Sequence, residues 1–279
     1  MGLKLYIKRM IKYIFREYKP IIINAQIVQK ESSDLLKNKI ILITGGGRGL
    51  GFFMAKKAIS EGAQVIITGR NEETLKNAAN VLGKNCEYKV FDVKNIKEGK
   101  VLIDYIYEKY GKIDCLINNA GVSLHEGNML NVSEDNFDNQ FTTNLKGAYF
   151  LTQNYIKKYK NINQKKGNIV FISSERGSQC DDLPYGLTKV AINSLIEGLS
   201  RRFYKDGIRV NGIAPGVTAS EMTGINKNDN LYAENASGRY FVPEEVAEVL
   251  MFILSDYSQC ISGEVIHCNA GQHLNPWWK

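Results

Sequence analysis

The sequence predicts an α/β fold built on one parallel sheet with helices on both faces, and three observations carry that expectation. Seven short apolar or β-branched runs alternate with longer segments of helical period. Several helical segments end in a glycine just ahead of the next run, and a glycine-rich loop follows the first run directly. The chain, with 279 residues and 44% hydrophobic content, has enough apolar material for the core this requires. No internal repeat, low-complexity tract or Pro-rich linker interrupts it after residue 35, so residues 35–279 are expected to form one domain behind an extension of residues 1–34.

The expected strands, in order, are 40–44, 65–68, 88–92, 115–119, 168–174, 208–214 and 264–268. Helices fill the intervals, and Gly62, Gly111 and Gly207 stand where a left-handed residue closes a helix. Right-handed crossovers between parallel strands place a ligand crevice at the carboxyl ends of the strands. The loop after the first strand reads Thr44-Gly45-Gly46-Gly47-Arg48-Gly49-Leu50-Gly51 and opens a helix. Glycines there let the backbone approach a pyrophosphate, and the helix N-terminus offers free N–H groups and a favourable dipole.

Composition excludes several function classes. The net charge of +7 is concentrated at the front, where residues 1–34 hold seven Lys/Arg against three Asp/Glu, which leaves +3 over the remainder. A nearly neutral body gives no electrostatic footprint for nucleic acid. Cys86, Cys115, Cys180, Cys260 and Cys268 are odd in number with no Cys-x-x-Cys spacing, which reads as reduced thiols of a cytoplasmic protein. His125, His267 and His273 show no ligand spacing, so no metal site is expected. The charge-free stretch 20–29 is too short to span a membrane, and the basic start lacks the apolar core of a secretory signal.

Chemistry enters with Tyr185 and Lys189 in Tyr-Gly-Leu-Thr-Lys. Four residues apart on a helix, they share a face, so the ammonium can favour the ionised phenol and turn tyrosine into a usable acid or base.

With its Thr-Gly-x-x-x-Gly-x-Gly loop (Thr44, Gly45, Gly49, Gly51) and this Tyr-x-x-x-Lys, the chain resembles the short-chain dehydrogenase/reductase family over about residues 35–279. Further landmarks occur in order: Asp92-Val93, Asn118-Asn119-Ala120-Gly121, Asn144, Ser173-Ser174 and Ala214-Pro215-Gly216. The resemblance implies a doubly wound Rossmann fold of the compact branch, hydride transfer between a nicotinamide and a carbonyl or secondary alcohol, and a homodimer or homotetramer. It implies that Tyr185 is the general acid/base, that Lys189 lowers its pKa and holds the nicotinamide ribose, that Ser174 bonds the substrate oxygen, and that Asn144 anchors a water relay. Ser174 is preferred to Ser173 because Gly177 follows it at the usual offset. Thr44, Gly45, Arg48, Gly49, Leu50, Gly51, Arg70, Asp92, Val93, Asn119, Ala120, Gly121, Pro215, Gly216 and Ser220 are expected to line the cofactor, together with Tyr185 and Lys189.

Beyond the second strand the chain reads Thr68-Gly69-Arg70 rather than carrying an acidic residue. Arg70 with Arg48 can pair with a ribose 2′-phosphate, which favours NADP(H) over NAD(H), unless both are solvated surface charges. One departure from the family is a loop of ten residues between Ser174 and Tyr185, shorter than relatives commonly carry and charged at Glu175, Arg176, Asp181 and Asp182. These either recognise a hydroxylated substrate or are ordinary loop polarity. The polar, Asn-rich segment after Ser220, to about Phe241, reads as a mobile substrate lid.

In the extension, Leu3, Ile7, Met10, Ile11, Ile14 and Tyr18 fall on one helical face opposite Lys8, Lys12, Arg16 and Lys19. Such a basic amphipathic helix packs on its own domain, docks on a partner, or lies on an anionic membrane through residues 1–19. Tyr6 disfavours myristoylation. The rival function is a catalytically quiet, nucleotide-binding scaffold recruited by that helix.

Overall fold

The computed structural model describes residues 34–226, 231–235 and 237–274. The readings made on residues 1–33, including the amphipathic helix, lie outside the described residues. Among the described residues no helix is long and apolar enough to cross a membrane.

Seven strands form one parallel sheet: β1 (Ile40–Thr44), β2 (Gln64–Gly69), β3 (Cys86–Val90), β4 (Cys115–Asn118), β5 (Gly167–Ile172), β6 (Ile208–Pro215) and β7 (Val265–Cys268), in the order β3-β2-β1-β4-β5-β6-β7. Their connections carry α1 (Gly49–Ser60), α2 (Glu72–Leu82), α3 (Ile96–Tyr110), α4 (Glu134–Gln140), α5 (Ala148–Asn161), α6 (Pro184–Phe203) and α7 (Pro243–Leu254). The order reverses between β1 and β4, and a doubly wound sheet opens its crevice at that point.

Strand side chains alternate between two cores. Ile41, Ile43, Val65, Ile67, Ile117, Val170 and Ile213 pack with α1 and α7, whereas Leu42, Ile66, Leu116, Ile169, Phe171 and Val210 pack with α3, α5 and α6. A strand covered on both faces has no polar side, which is why the central strands read as unbroken apolar runs.

Strand ends differ from expectation where that signal weakens. β3 spans Cys86–Val90 rather than 88–92, because pairing with β2 already begins at Val65↔Cys86. It is the sheet edge, and its Glu87 and Lys89 blur where it begins. β5 stops at Ile172, so Ser173 and Ser174 lie just beyond the strand. Gly62, Gly111 and Gly207 all take positive φ (88°, 75° and 86°), as helix closure requires.

Candidate active site

The nucleotide loop is built around contacts that exclude side chains. Gly45 and Gly49 take positive φ, 67° and 53°. A Cβ on Gly46 would sit 2.6 Å from Ile67 Cγ2, and one on Gly51 would overlap the Gly45 carbonyl. Thr44 stitches β1 to β4: its Oγ1 accepts from the backbone N–H groups of Asn119 and Ala120, each at 3.0 Å. The Asn119 amide returns bonds to the carbonyls of Thr44 (2.8 Å) and Gly45 (3.0 Å).

This groove fits the pyrophosphate of a dinucleotide. No side chain caps α1, so its first N–H groups are free to meet phosphate oxygens. A Cβ placed on Gly49 would meet only Ser220 Cβ at 4.0 Å, so a cradle lies open between the loop and the segment after β6. Leu50 packs against the α1 core, and Gly216 lies so close to Asn269 that a Cβ would stand 2.9 Å from that residue's Cβ. Pro215 ends β6 beside them, while Gly121 continues the loop beyond Ala120. Asp92 caps its own turn by accepting from Lys94 N–H at 2.9 Å, and Val93 is buried against Gly147. Arg70 is exposed just past β2. Arg48 is ion-paired with Glu221 at 2.5 Å, an exposed pair that ties the glycine loop to the segment after β6.

Across the crevice stand the four other expected residues. Tyr185 lies in the first turn of α6, where Pro184 starts the helix. The Ser174 side chain acts on the Tyr185 phenol, offsetting part of the rise that burial causes, while Ser173 turns away to donate to Asn193 at 2.5 Å. The two serines are thereby distinguished, and it is Ser174 that faces the tyrosine. Gly177 permits the close approach of this turn to α6, since a Cβ there would lie 3.0 Å from the Lys189 carbonyl.

The Tyr185 phenol is buried beside Lys189. Burial pushes the phenol up, offset in part by the Ser174 hydrogen bond and the Arg176 charge, with Glu175 acting in the opposite sense to Arg176. Lys189 donates to the Ile172 carbonyl at 2.8 Å, with its Nζ 5.4 Å from the phenol ring centroid. Desolvation lowers the lysine to about 8. Periodicity places the two residues on one face but says nothing of the carbonyl at the end of β5 that takes the ammonium.

Asn144 lies within a π-helical turn, Phe141–Gly147, between α4 and α5. Its amide accepts from Val122 N–H (2.8 Å) and donates to Val122 O (2.9 Å) and Thr188 Oγ1 (3.2 Å). Thr188 in turn donates to the Tyr185 carbonyl at 2.6 Å, so Asn144 is tied to the tyrosine-bearing helix.

The charged loop before Tyr185 is satisfied within the protein. Arg176 pairs with Asp181, Glu175 accepts from Asn269 at 3.1 Å, and Asp182 accepts from Met129 N–H at 3.3 Å. The segment after β6 is likewise tied: His125 Nε2 meets the Met222 carbonyl at 2.9 Å, and Thr218 bridges Phe241. Thr188, Asn193, Glu221 and Asn269 escape sequence reasoning, because each acts through a partner distant in the chain. Among the described residues no group of three or more His, Cys, Asp or Glu is placed to hold a metal, and all five cysteines are free thiols.

A dinucleotide groove facing a Ser–Tyr–Lys cluster across the switch point defines a class of nicotinamide-dependent oxidoreductases, and comparison with known proteins agrees. The family model described as short chain dehydrogenase matches residues 39–230. The chain therefore belongs to the short-chain dehydrogenase/reductase family, NAD(P)-dependent oxidoreductases acting on CH–OH or C=O groups. It is 33% identical over 245 residues to 3-oxoacyl-[acyl-carrier-protein] reductase FabG of Aquifex aeolicus (strain VF5), covering 85% of this chain and 98% of that protein. It is 30% identical over 243 residues to a 3alpha-hydroxysteroid dehydrogenase of Mediterraneibacter gnavus, covering 83% and 96%. Among solved structures, the 3-ketoacyl-(acyl-carrier-protein) reductase of Brucella melitensis, complexed with NADH, superposes with a TM-score of 0.80 at 25% identity, covering 86% of this chain and all of that one.

Proposed function

We propose that the protein is an NADP(H)-preferring reductase that interconverts a small-molecule carbonyl and a secondary alcohol, with Tyr185 as general acid/base. The observation that carries this reading is Tyr185 with buried Lys189 one helical turn away, its Nζ 5.4 Å from the phenol ring centroid, beside the turn that carries Ser174. Bound nicotinamide supplies the hydride. Tyr185 gives its proton to the oxygen that becomes an alkoxide, and Ser174 donates to the same oxygen as charge develops there. Lys189, held close to neutrality by burial, is poised to exchange a proton near physiological pH. Asn144, fixed by Val122 and Thr188, anchors the route by which water resupplies it.

Cofactor choice follows from Arg70 and Arg48. Arg70 is exposed at the end of β2, and Arg48 can exchange the Glu221 carboxylate for a 2′-phosphate, since an exposed pair of this kind is worth only ~0.2–1 kcal/mol. Titration calorimetry is expected to show NADPH binding at least several-fold tighter than NADH, with Arg70→Ala narrowing the ratio. Equal affinities, or a ratio indifferent to Arg70→Ala, contradict the preference.

The relatives suggest the thioester and the steroid, and the other carbonyls widen the panel. Purified protein with NADPH is tested against an acetoacetyl thioester, a 3-oxosteroid, a cyclic diketone and reducing sugars while nicotinamide absorbance is followed. Oxidation of NADPH by at least one supports the reading, and inertness towards all of them counts against it. We further place the protein in the cytoplasm as a homodimer or homotetramer. Residues 1–19 either pack on the protein's own domain or a neighbouring subunit, dock on a partner, or contact anionic membrane surfaces; sedimentation of the full chain with anionic vesicles separates the last from the others.

A further inference from the structure

We propose that Asp181 is a positioning residue for Tyr185: its buried carboxylate is the stop against which the first turn of α6 seats, and Gly186 is the residue that this stop requires. The inference rests on the reading of Tyr185 as the acid/base group. Asp181 Oδ1 accepts from Leu183 N–H at 3.0 Å, two residues before the tyrosine. One residue after it, a Cβ on Gly186 would overlap the carboxylate and stand 2.7 Å from Asp181 Cβ. The three atoms nearest to that point all belong to Asp181. The one side chain therefore meets the backbone on both sides of Tyr185.

The end of a free side chain yields to a new neighbour by rotating away, but this one is pinned. Arg176 grips the carboxylate from Nε at 2.5 Å and from Nη2 at 2.6 Å, and a planar, two-bonded fork leaves it one orientation. The Asp181 side chain is only 2% exposed, so water offers it no alternative seat. The grip is anchored at the serine end as well, where Arg176 N–H donates to Ser174 Oγ at 3.3 Å. A continuous set of contacts thus leads from Ser174 to the backbone that carries Tyr185.

The start of α6 needs such a stop. Leu183 has no side-chain oxygen to cap the helix, and Pro184 brings no N–H. Leu187 N–H bonds Leu183 O at 3.1 Å and Thr188 Oγ1 donates to the Tyr185 carbonyl at 2.6 Å, but both bonds stay within the helix start and leave its distance from the Ser174 turn open. Asn193 Nδ2 donates to the Gly177 carbonyl at 3.0 Å, which ties α6 about two turns farther on. Lys189 is held separately by the Ile172 carbonyl. The first turn is left to Asp181, and a displacement of about 1 Å in a reacting group can cost about 10²-fold in rate.

The test is a double-variant cycle on the full chain: wild type, Gly186→Ala, Asp181→Gly and the two combined. Each is measured for melting temperature, NADPH affinity and kcat with the fastest ketone of the panel above. Gly186→Ala is expected to lower kcat by about ten-fold or more, with NADPH affinity within about three-fold of wild type. Its melting temperature falls by roughly 3 °C or more, the usual scale for one overpacked methyl. Asp181→Gly, which removes the stop, also lowers kcat, but the two losses do not multiply. The combined variant, whose methyl enters the vacated space, keeps at least about five-fold more kcat than the product of the single losses predicts. Losses that multiply, or single variants within two-fold of wild type, overturn the proposal. So does coupling seen in the melting temperatures without coupling in kcat, which is what loop packing alone would give. If Gly186→Ala does not fold, the combined variant decides: folded and active, it is the rescue, and unfolded, it overturns the proposal. Tyr185→Phe in the same series separates the two readings. Turnover retained in that variant overturns the acid/base assignment, whereas lost turnover together with losses that multiply overturns only the role of Asp181.

Discussion

Lys189 is held where its charge is unwelcome. Burial lowers it from 10.5 to about 8, so below pH 8 the folded chain carries a desolvated ammonium satisfied by one carbonyl, Ile172 O at 2.8 Å. A site that stores such a cost is expected to give it back when the charge is removed. Lys189→Met should raise stability at pH 7 by roughly 1–3 kcal/mol while abolishing turnover. Between about 8 and 10.5 the unfolded chain holds a proton that the folded chain has shed, so wild-type stability rises with pH there and the advantage of the variant shrinks. Denaturant melts at pH 7 and pH 10 check both statements, and a destabilised variant at pH 7 contradicts them. At this scale the sequence is legible where a residue type has one physical use: Thr44 joins β1 to the end of β4, a Cβ on Gly45 or Gly51 would crowd its neighbours, and Lys189 Nζ lies 5.4 Å from the Tyr185 ring. It is silent where the partner is remote. Glu221 beside Ser220 bears no mark of its pairing with Arg48, and Asp181 reads as ordinary loop polarity until its guanidinium partner is seen.

Elements were legible in proportion to their burial. β1, β2, β4, β5 and β6 are buried on both faces and announce themselves as apolar runs, whereas edge strand β3, with Glu87 bonded to Tyr105, Tyr110 and Lys109, is legible but displaced by two residues. The π-helical turn at Phe141–Gly147 was invisible as such, because its residues suit an α-helix equally well and only packing selects the wider winding. A Cβ on Gly147 would stand 2.7 Å from the Val93 carbonyl, so close approach to the strand end that carries Asp92-Val93 accompanies this turn. Helix-closing glycines separate conformational from steric cost. Gly111 has φ 75° and no atom within 4 Å of the point where a methyl would stand, whereas Gly207 has φ 86° and would drive a methyl into the Lys165 carbonyl. Gly111→Ala should cost about 1 kcal/mol from the left-handed conformation alone. Gly207→Ala should cost roughly 1–3 kcal/mol more. Equal losses in thermal or urea melts would show that the backbone around Gly207 yields.

For the whole molecule, strand order and crossover handedness place the glycine loop, the end of β5 and the start of α6 on one rim, and this much followed from alternation of elements alone. Assembly is less legible. On α6, Ile196 is fully buried in the chain's own core, and Leu195 and Leu199 are half-buried against it. Leu187 and Val190 are the exposed ones, and a groove along the π-turn and α5 is lined by Phe141, Leu145, Tyr149 and Phe150, with Phe137 stacked on Phe141 at 4.3 Å. Exposed aromatic strips of this kind favour burial between copies. Light scattering should give a dimer or tetramer for the full chain and a smaller species for Tyr149→Glu combined with Val190→Glu; a wild-type monomer contradicts the expectation. The central claim, proton transfer by Tyr185 in a nicotinamide-dependent reductase, is tested most directly by Tyr185→Phe, because the ring remains to pack and only the phenolic proton is lost. NADPH affinity should stay within about two-fold of wild type while turnover of a competent ketone falls by about 10²–10⁴-fold. Near-normal turnover by the phenylalanine variant would contradict the account.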